Sequence, residues 1–240
     1  MGDSVKRHAL LLFAGLLLAA SPARAMVMEA FGDQAVLSGE VFDGDYTKLQ
    51  NLLREHKSIT TIILRNSPGG MADEGGQIST LLRSLNVITV LDGYCASACA
   101  DMFLSGTERR FLADSNPFNT FLGFHGTYVG RAQSSWGSVD WGRAYETQQW
   151  IGARTEGKVD KKLVERWTTL RDPNGLIYFF DSERAKMKDG ASILLCQGTE
   201  KSLPADCEHI LDHDIYNQGL ATSKTRVKPN AGAEAKAPAK

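Results

Sequence analysis

Strand-like and helix-like segments alternate from Ala35 to Gly106, and this alternation limits the folds open to the chain. "AVLSGEV" (Ala35–Val41) reads as a strand. "DYTKLQNLLREH" (Asp45–His56) reads as a helix with Tyr46, Leu49, Leu52 and Leu53 on one face and Asp45 as its cap. "ITTIILRN" (Ile59–Asn66) is a β-branched run that predicts a buried strand, and "SPGG" (Ser67–Gly70) breaks it. "ADEGGQISTLLRSL" (Ala72–Leu85) carries Ile78, Leu81, Leu82 and Leu85 at helical spacing. "VITVLD" (Val87–Asp92) is a strand again, and "SACADMFLSG" (Ser97–Gly106) a short buried helix. The pattern predicts an α/β fold of repeated β-α units, with a parallel sheet and right-handed crossovers. In such folds functional residues gather where strands end and turn into helices. "SPGG" and "GYCAS" (Gly93–Ser97) both hold that position.

"RRFLA" and "TFLGFHG" (Thr120–Gly126) read as two further strands. Beyond His125 the chain becomes polar, with Trp136, Trp141, Trp150 and Trp167 spread through it, and from Arg143 it reads as helical. The tryptophans are expected to pack this helical excursion onto the core or onto another subunit. The end, "KTRVKPNAGAEAKAPAK" (Lys224–Lys240), lacks aromatics and is rich in Ala, Lys and Pro, which predicts a disordered tail.

Lys6, Arg7 and His8 precede the apolar run Ala9–Ala20, and "ARA" (Ala23–Ala25) follows with small residues where a signal peptidase reads. Residues 1–25 therefore read as a secretory signal peptide of bacterial form, with a mature chain from Met26 in the periplasm or secreted. A membrane anchor that is never cut is the competing reading, but the apolar run falls short of the roughly 20 residues a spanning helix needs. No second long apolar run follows, so no stable membrane insertion is expected after cleavage. A formal net charge of −1 leaves no basic excess for nucleic acid. The four cysteines, Cys95, Cys99, Cys196 and Cys207, favour disulfides in an oxidising compartment. Neither pair has CxxC spacing and His is scarce nearby, so no metal site is expected. Cys196 and Cys207 bracket a polar loop, and one helical turn brings Cys95 within reach of Cys99, although four cysteines allow three connectivities.

Three stretches carry candidate chemistry: "NSPGG" (Asn66–Gly70), "CASACADMF" (Cys95–Phe103) and "LGFHG" (Leu122–Gly126). A serine hydrolase needs a nucleophile, a base and an anion-stabilising pocket. Ser97 stands at a helix N-terminus, where free N–H groups and partial positive charge favour an oxyanion. His125 ends a strand and can take the serine proton. Each feature has a plain structural reading as well: Ser97 as a helix cap, Pro68-Gly69-Gly70 as a turn, His125 as a strand terminus.

The order and spacing of the three stretches resemble the Clp-type serine peptidases of the Clp/crotonase superfamily. Ser97 follows Gly70 by 27 residues, and His125 follows Ser97 by 28. "CASACADMFLSGTERRFLADSNPFNTFLGFHG" also resembles exported bacterial homologues with a cysteine on each side of the serine. The resemblance spans about Ile59 to Gly126 and implies a spiral of β-α units over 26–223. It implies Ser97 as nucleophile, His125 as base, and the N–H groups of Gly70 and Ala98 as oxyanion hole. It also implies a peptide or protein substrate, no cofactor, and allows a homo-oligomer.

The resemblance fails at the third triad member. Overlay of "IYFFDSERA" puts Ile177 where the family carries an acid, so Asp172 in the turn "DPNG" is the expected substitute and Asp181 the alternative. A turn-forming role for Asp172 competes. The expected function is an exported serine hydrolase acting as a peptidase through an acyl-enzyme at Ser97. The alternative is an inactive Clp-like domain that binds a peptide or partner protein. An acyl-CoA enzyme of the crotonase branch is disfavoured by the leader, and for a Ser–Lys dyad nothing places Lys158, Lys161 or Lys162 beside Ser97.

Overall fold

The computed structural model describes residues 25–129, 138–201 and 206–234. Three parallel strands form its frame: β2 (Gln34–Ser38), β3 (Thr61–Ser67) and β4 (Ile88–Ala96), with β1 (Val27–Phe31) antiparallel on β2. The helices α1 (Asp45–Glu55) and α2 (Ala72–Ser84) are the crossovers. Strand residues alternate between two faces. Leu37, Leu64 and Leu91 enter the main core, whereas Val36, Ile63 and Val90 build a smaller cluster on the opposite face.

A kink divides β4. Ile88–Leu91 pair with β5 (Glu108–Phe111), while Tyr94–Ala96 pair with β6 (Phe121–Phe124). The register against β3 shifts between Arg65 and Ser67, with Asn66 at φ 46° and Gly93 at φ 78°. A Cβ on Gly93 would come within 1.9 Å of Asn66 Oδ1, so glycine is required where the two strands bend together. The bend brings the ends of β3 and β4 side by side, with Ser67 opposite Cys95.

After β4 comes α3 (Ala98–Leu104), almost wholly buried, then α4 (Trp141–Arg154) and α5 (Lys161–Thr168). The sheet continues antiparallel through β7 (Leu176–Phe180), β8 (Ile193–Cys196) and β9 (Glu208–Ile210). The fold is therefore mixed α/β with a largely parallel core and antiparallel edges. Trp167 is fully buried and stacks on Phe124 with ring centroids 5.5 Å apart; Trp150 packs against the core from its rim. Trp141 is 66% exposed, so it is not part of the core packing expected of the tryptophans; Trp136 lies outside the described residues.

Two local expectations change. Asp45 is not a helix cap: its carboxylate accepts from the N–H groups of Met26 and Phe42, tying the start of β1 to α1. Lys224–Glu234 is not a free tail. Val227 and Ala233 cover the Val36–Ile63–Val90 face, Val227 exchanges backbone hydrogen bonds with Phe111 and Ala113, and Asn230 bonds Phe31, Asp33 and Gln34. Two apolar side chains and a few amides suffice to dock a polar segment whose composition alone predicts disorder. Residues 235–240, and the leader up to residue 24, lie outside the described residues. Among the described residues no helix is long and apolar enough to cross a membrane, and no group of three His, Cys, Asp or Glu side chains could hold a metal ion.

Candidate active site

The parallel pairing of β3 and β4 sets the turns that follow them against each other. Gly69 (φ 89°) and Gly70 (φ 141°) both have the positive φ that favours glycine. A Cβ on Gly69 would stand 2.7 Å from Ser97 Cβ and 2.8 Å from the Ala98 nitrogen; one on Gly70 would strike the Val41 carbonyl at 2.3 Å. The "SPGG" backbone thus lies directly on the serine turn. The N–H groups of Gly70 and Ala98 have no hydrogen-bond partner among the described residues. Two free donors flank a turn that glycine keeps open.

Ser97 precedes α3 with φ 55° and ψ −129°, an unusual conformation for a residue with a side chain. Its hydroxyl does not cap the helix. Ser97 Oγ instead lies 2.7 Å from His125 Nε2, and its N–H donates to the Gly123 carbonyl on β6. Both side chains are half-buried, so a substrate can reach them. The Cys95–Cys99 disulfide closes around the serine with a Cα–Cα distance of 5.2 Å, and Cys196–Cys207 ties β8 to the start of β9.

His125 Nδ1 lies 2.6 Å from the Gly126 carbonyl oxygen. A carbonyl only accepts, so Nδ1 carries the proton and Nε2 is free to accept from Ser97. The carboxylate of Asp172 goes elsewhere: it accepts from the backbone and side-chain amides of Asn174 and shapes the "DPNG" turn. Asp181 is also occupied, accepting from Tyr216 and Arg226. Of the residues expected at the site, Ser97 and His125 come together, Ala98 lies against Gly69 with Gly70 next in the chain, and the Asp172 carboxylate makes no hydrogen bond to His125. Lys158 pairs with Glu156, and Lys161 and Lys162 are exposed at the start of α5.

Tyr128, missed by the sequence reading, lies beside the histidine. The two rings lie nearly parallel, 15° apart, with centroids separated by 6.0 Å. The Tyr128 hydroxyl donates to the Asp172 backbone carbonyl at 2.8 Å. Burial pushes its phenol up to about 12, opposed by the neighbouring Gly126 N–H and aided by the Asp172 charge. Tyr128 therefore joins the Gly126 peptide, the acceptor for His125, to the turn at Asp172. The sequence offered one signal for this, an aromatic residue three positions beyond a strand-terminal histidine, and it is weak.

No family model matches the chain, and no curated protein matches it. Among solved structures it is similar to ClpP1 from Listeria monocytogenes, at 14% identity over 85% of this chain and 95% of that one, with a TM-score of 0.48. It is similar to a mutant of the 1510-N membrane-bound stomatin-specific protease, at 15% identity over 56% of this chain and 67% of that one, TM-score 0.43. It is also similar to a methylmalonyl CoA decarboxylase, at 12% identity over 62% of each chain, TM-score 0.40.

Proposed function

We propose that this chain is an exported serine hydrolase that cleaves peptides through an acyl-enzyme at Ser97. The observation that carries this reading is the 2.7 Å contact between Ser97 Oγ and His125 Nε2, made by a serine held at φ 55° whose hydroxyl does not cap its helix. A strained backbone that turns a hydroxyl away from a cap and toward an imidazole suits nucleophilic attack better than helix stability.

The chemistry follows from the geometry. His125 Nε2 takes the Ser97 proton as Oγ bonds to the substrate carbonyl carbon. The carbonyl oxygen gains negative charge opposite the free N–H groups of Gly70 and Ala98. The imidazolium returns its proton to the leaving nitrogen as the C–N bond breaks, and water then releases the acyl group by the same route. The Gly126 carbonyl fixes the tautomer but brings no full negative charge to face the imidazolium. Export to the periplasm or beyond rests on the leader reading, and two disulfides suit that compartment. The resemblance extends this to a homo-oligomer acting without a cofactor.

Hydrolysis of a peptide library by the purified chain, beside Ser97→Ala and His125→Ala, tests the reading. Cleavage lost in both variants is expected. Cleavage that survives Ser97→Ala would overturn it, and a folded chain that binds peptides without cleaving any would establish the binding domain instead.

A further inference from the structure

A cavity of about 340 Å³ opens between α2, α3 and α4, lined by Ser79, Thr80, Asp101, Glu146, Trp150 and Arg154 among others. It begins one helical turn from the nucleophile, since Asp101 N–H bonds the Ser97 carbonyl. Above it Gly75 packs on Ala98, where any Cβ on Gly75 would come within 2.7 Å of Ala98 Cβ. Its third wall is tied to the segment that follows the histidine, because Asp140, which caps α4, bonds the Thr127 carbonyl through its N–H.

Two polar groups of this cavity are unmatched. The Asp101 carboxylate has no hydrogen-bond or ion-pair partner among the described residues. Ser79 Oγ, on a residue only 4% exposed, has none either. Burial pushes the Asp101 carboxyl up to about 7, and Arg154, the cation lining the same cavity, does not pair with it. Arg154 is held over the Trp150 ring at 5.2 Å. An unpaired carboxylate in a half-buried, open cleft is partly stripped of water and contributes nothing to the core. The group that would balance it is a cation with N–H donors, which could also bond Ser79 Oγ and lie against an aromatic wall.

We propose that this cavity is a specificity pocket for the Lys or Arg side chain of a peptide substrate flanking the bond that Ser97 attacks. The proposal rests on the function proposed above. Its size lies at the low end of ligand pockets, about 300–1,000 Å³, which suits one extended side chain better than a whole ligand. The exposed Glu146 adds negative charge at the rim.

The test is a binding measurement on the full chain carrying Ser97→Ala, so that it does not depend on turnover. Peptide mixtures identical except for Arg, Lys, norleucine or Glu at one scanned position are titrated by fluorescence anisotropy. Arg or Lys at one position is expected to bind at least about tenfold tighter than norleucine, the scale of one charge-assisted hydrogen bond. Adding Asp101→Asn should abolish that difference, and adding Ser79→Ala should reduce it. The thermal midpoint of the Asp101→Asn chain should be unchanged or higher, which separates lost recognition from misfolding. Equal binding of the four peptides, or a preference for Arg or Lys that survives Asp101→Asn, would overturn the pocket. Loss of the hydrolytic function is read separately, from the library cleavage assay.

Discussion

The imidazole of His125 donates from Nδ1 to the carbonyl of Gly126, 2.6 Å away, and not to a carboxylate. The neighbouring peptide thus does the orienting that an aspartate does in a Ser-His-Asp triad. Tyr128 braces it by bonding the Asp172 carbonyl at 2.8 Å. The His125 imidazole is positioned by main chain, and Asp172 takes part through its carbonyl and its turn.

This predicts an unusual ranking of variants. Asp172→Ala should lower turnover less than about tenfold, whereas removal of a true triad aspartate costs roughly 10⁴. Tyr128→Phe should lower both turnover and stability modestly, by about 1 kcal/mol for the lost hydrogen bond. Steady-state kinetics beside thermal melts check both. A loss near 10⁴ in Asp172→Ala with an intact fold would mean that its carboxylate reaches His125 in the working enzyme.

Gly69→Ala should be the most damaging small change near the site. The added methyl would meet Ser97 Cβ at 2.7 Å and the Ala98 nitrogen at 2.8 Å, at a backbone φ of 89°. Strain of this kind costs about 1–3 kcal/mol, and the methyl also covers an oxyanion donor. Loss of cleavage far beyond the shift in melting temperature is the expected signature. A fully active Gly69→Ala chain would remove Ala98 from the oxyanion hole.

The two disulfides should separate by function. Their loops are short, with sequence separations of 4 and 11, so chain entropy assigns them about 2 and 3 kcal/mol. Replacing Cys196 and Cys207 by Ala should lower stability with little effect on Ser97. Replacing Cys95 and Cys99 should slow reaction at Ser97 by more than stability explains, because about 1 Å of misplacement is costly to rate. Mild reduction of the wild-type chain gives an independent measurement of the same effect.

Asp101 should make the chain less stable as pH rises. Its folded carboxyl is raised from 3.8 to about 7 by burial, so the folded state holds the proton more tightly than the unfolded state. The contribution is favourable to folding at low pH and is lost between about pH 4 and 7. Asp101→Asn should flatten that part of the stability profile. Denaturant titrations across the range with unchanged profiles in both chains would contradict the unpaired, partly desolvated carboxylate.

The frame of the fold was legible because β3, α2, β4 and α3 each carry their own signal. Ile62, Ile63 and Leu64 form an apolar run, and Ile78 and Leu82 recur at one helix face. The outer strands were not legible: β1 is a strand as a hairpin arm on β2, and β8 and β9 are strands through antiparallel pairing with the strand before each, so pairing and not an alternating pattern of their own defines them. The docked segment Lys224–Glu234 escaped for a related reason, since Val227 and Ala233 matter only once Val36, Ile63 and Val90 present a bare face. At the site, Ser97 and His125 stand at strand ends where topology concentrates reactive residues. Asp172 looked like a catalytic acid because "DPNG" precedes a strand, yet its carboxylate satisfies the local Asn174 amides first, the usual behaviour of an Asx turn. Main-chain orientation of His125 leaves no mark in a sequence.

Whether Ser97 is an activated nucleophile is read by intact-mass spectrometry of the purified chain after a fluorophosphonate probe, with Ser97→Ala and His125→Ala beside it. A single adduct is expected on the wild-type chain, placed on Ser97 by peptide mapping, absent from Ser97→Ala and strongly reduced in His125→Ala. A well-folded wild-type chain that takes up no probe, or one labelled equally after Ser97→Ala, would contradict an activated Ser97.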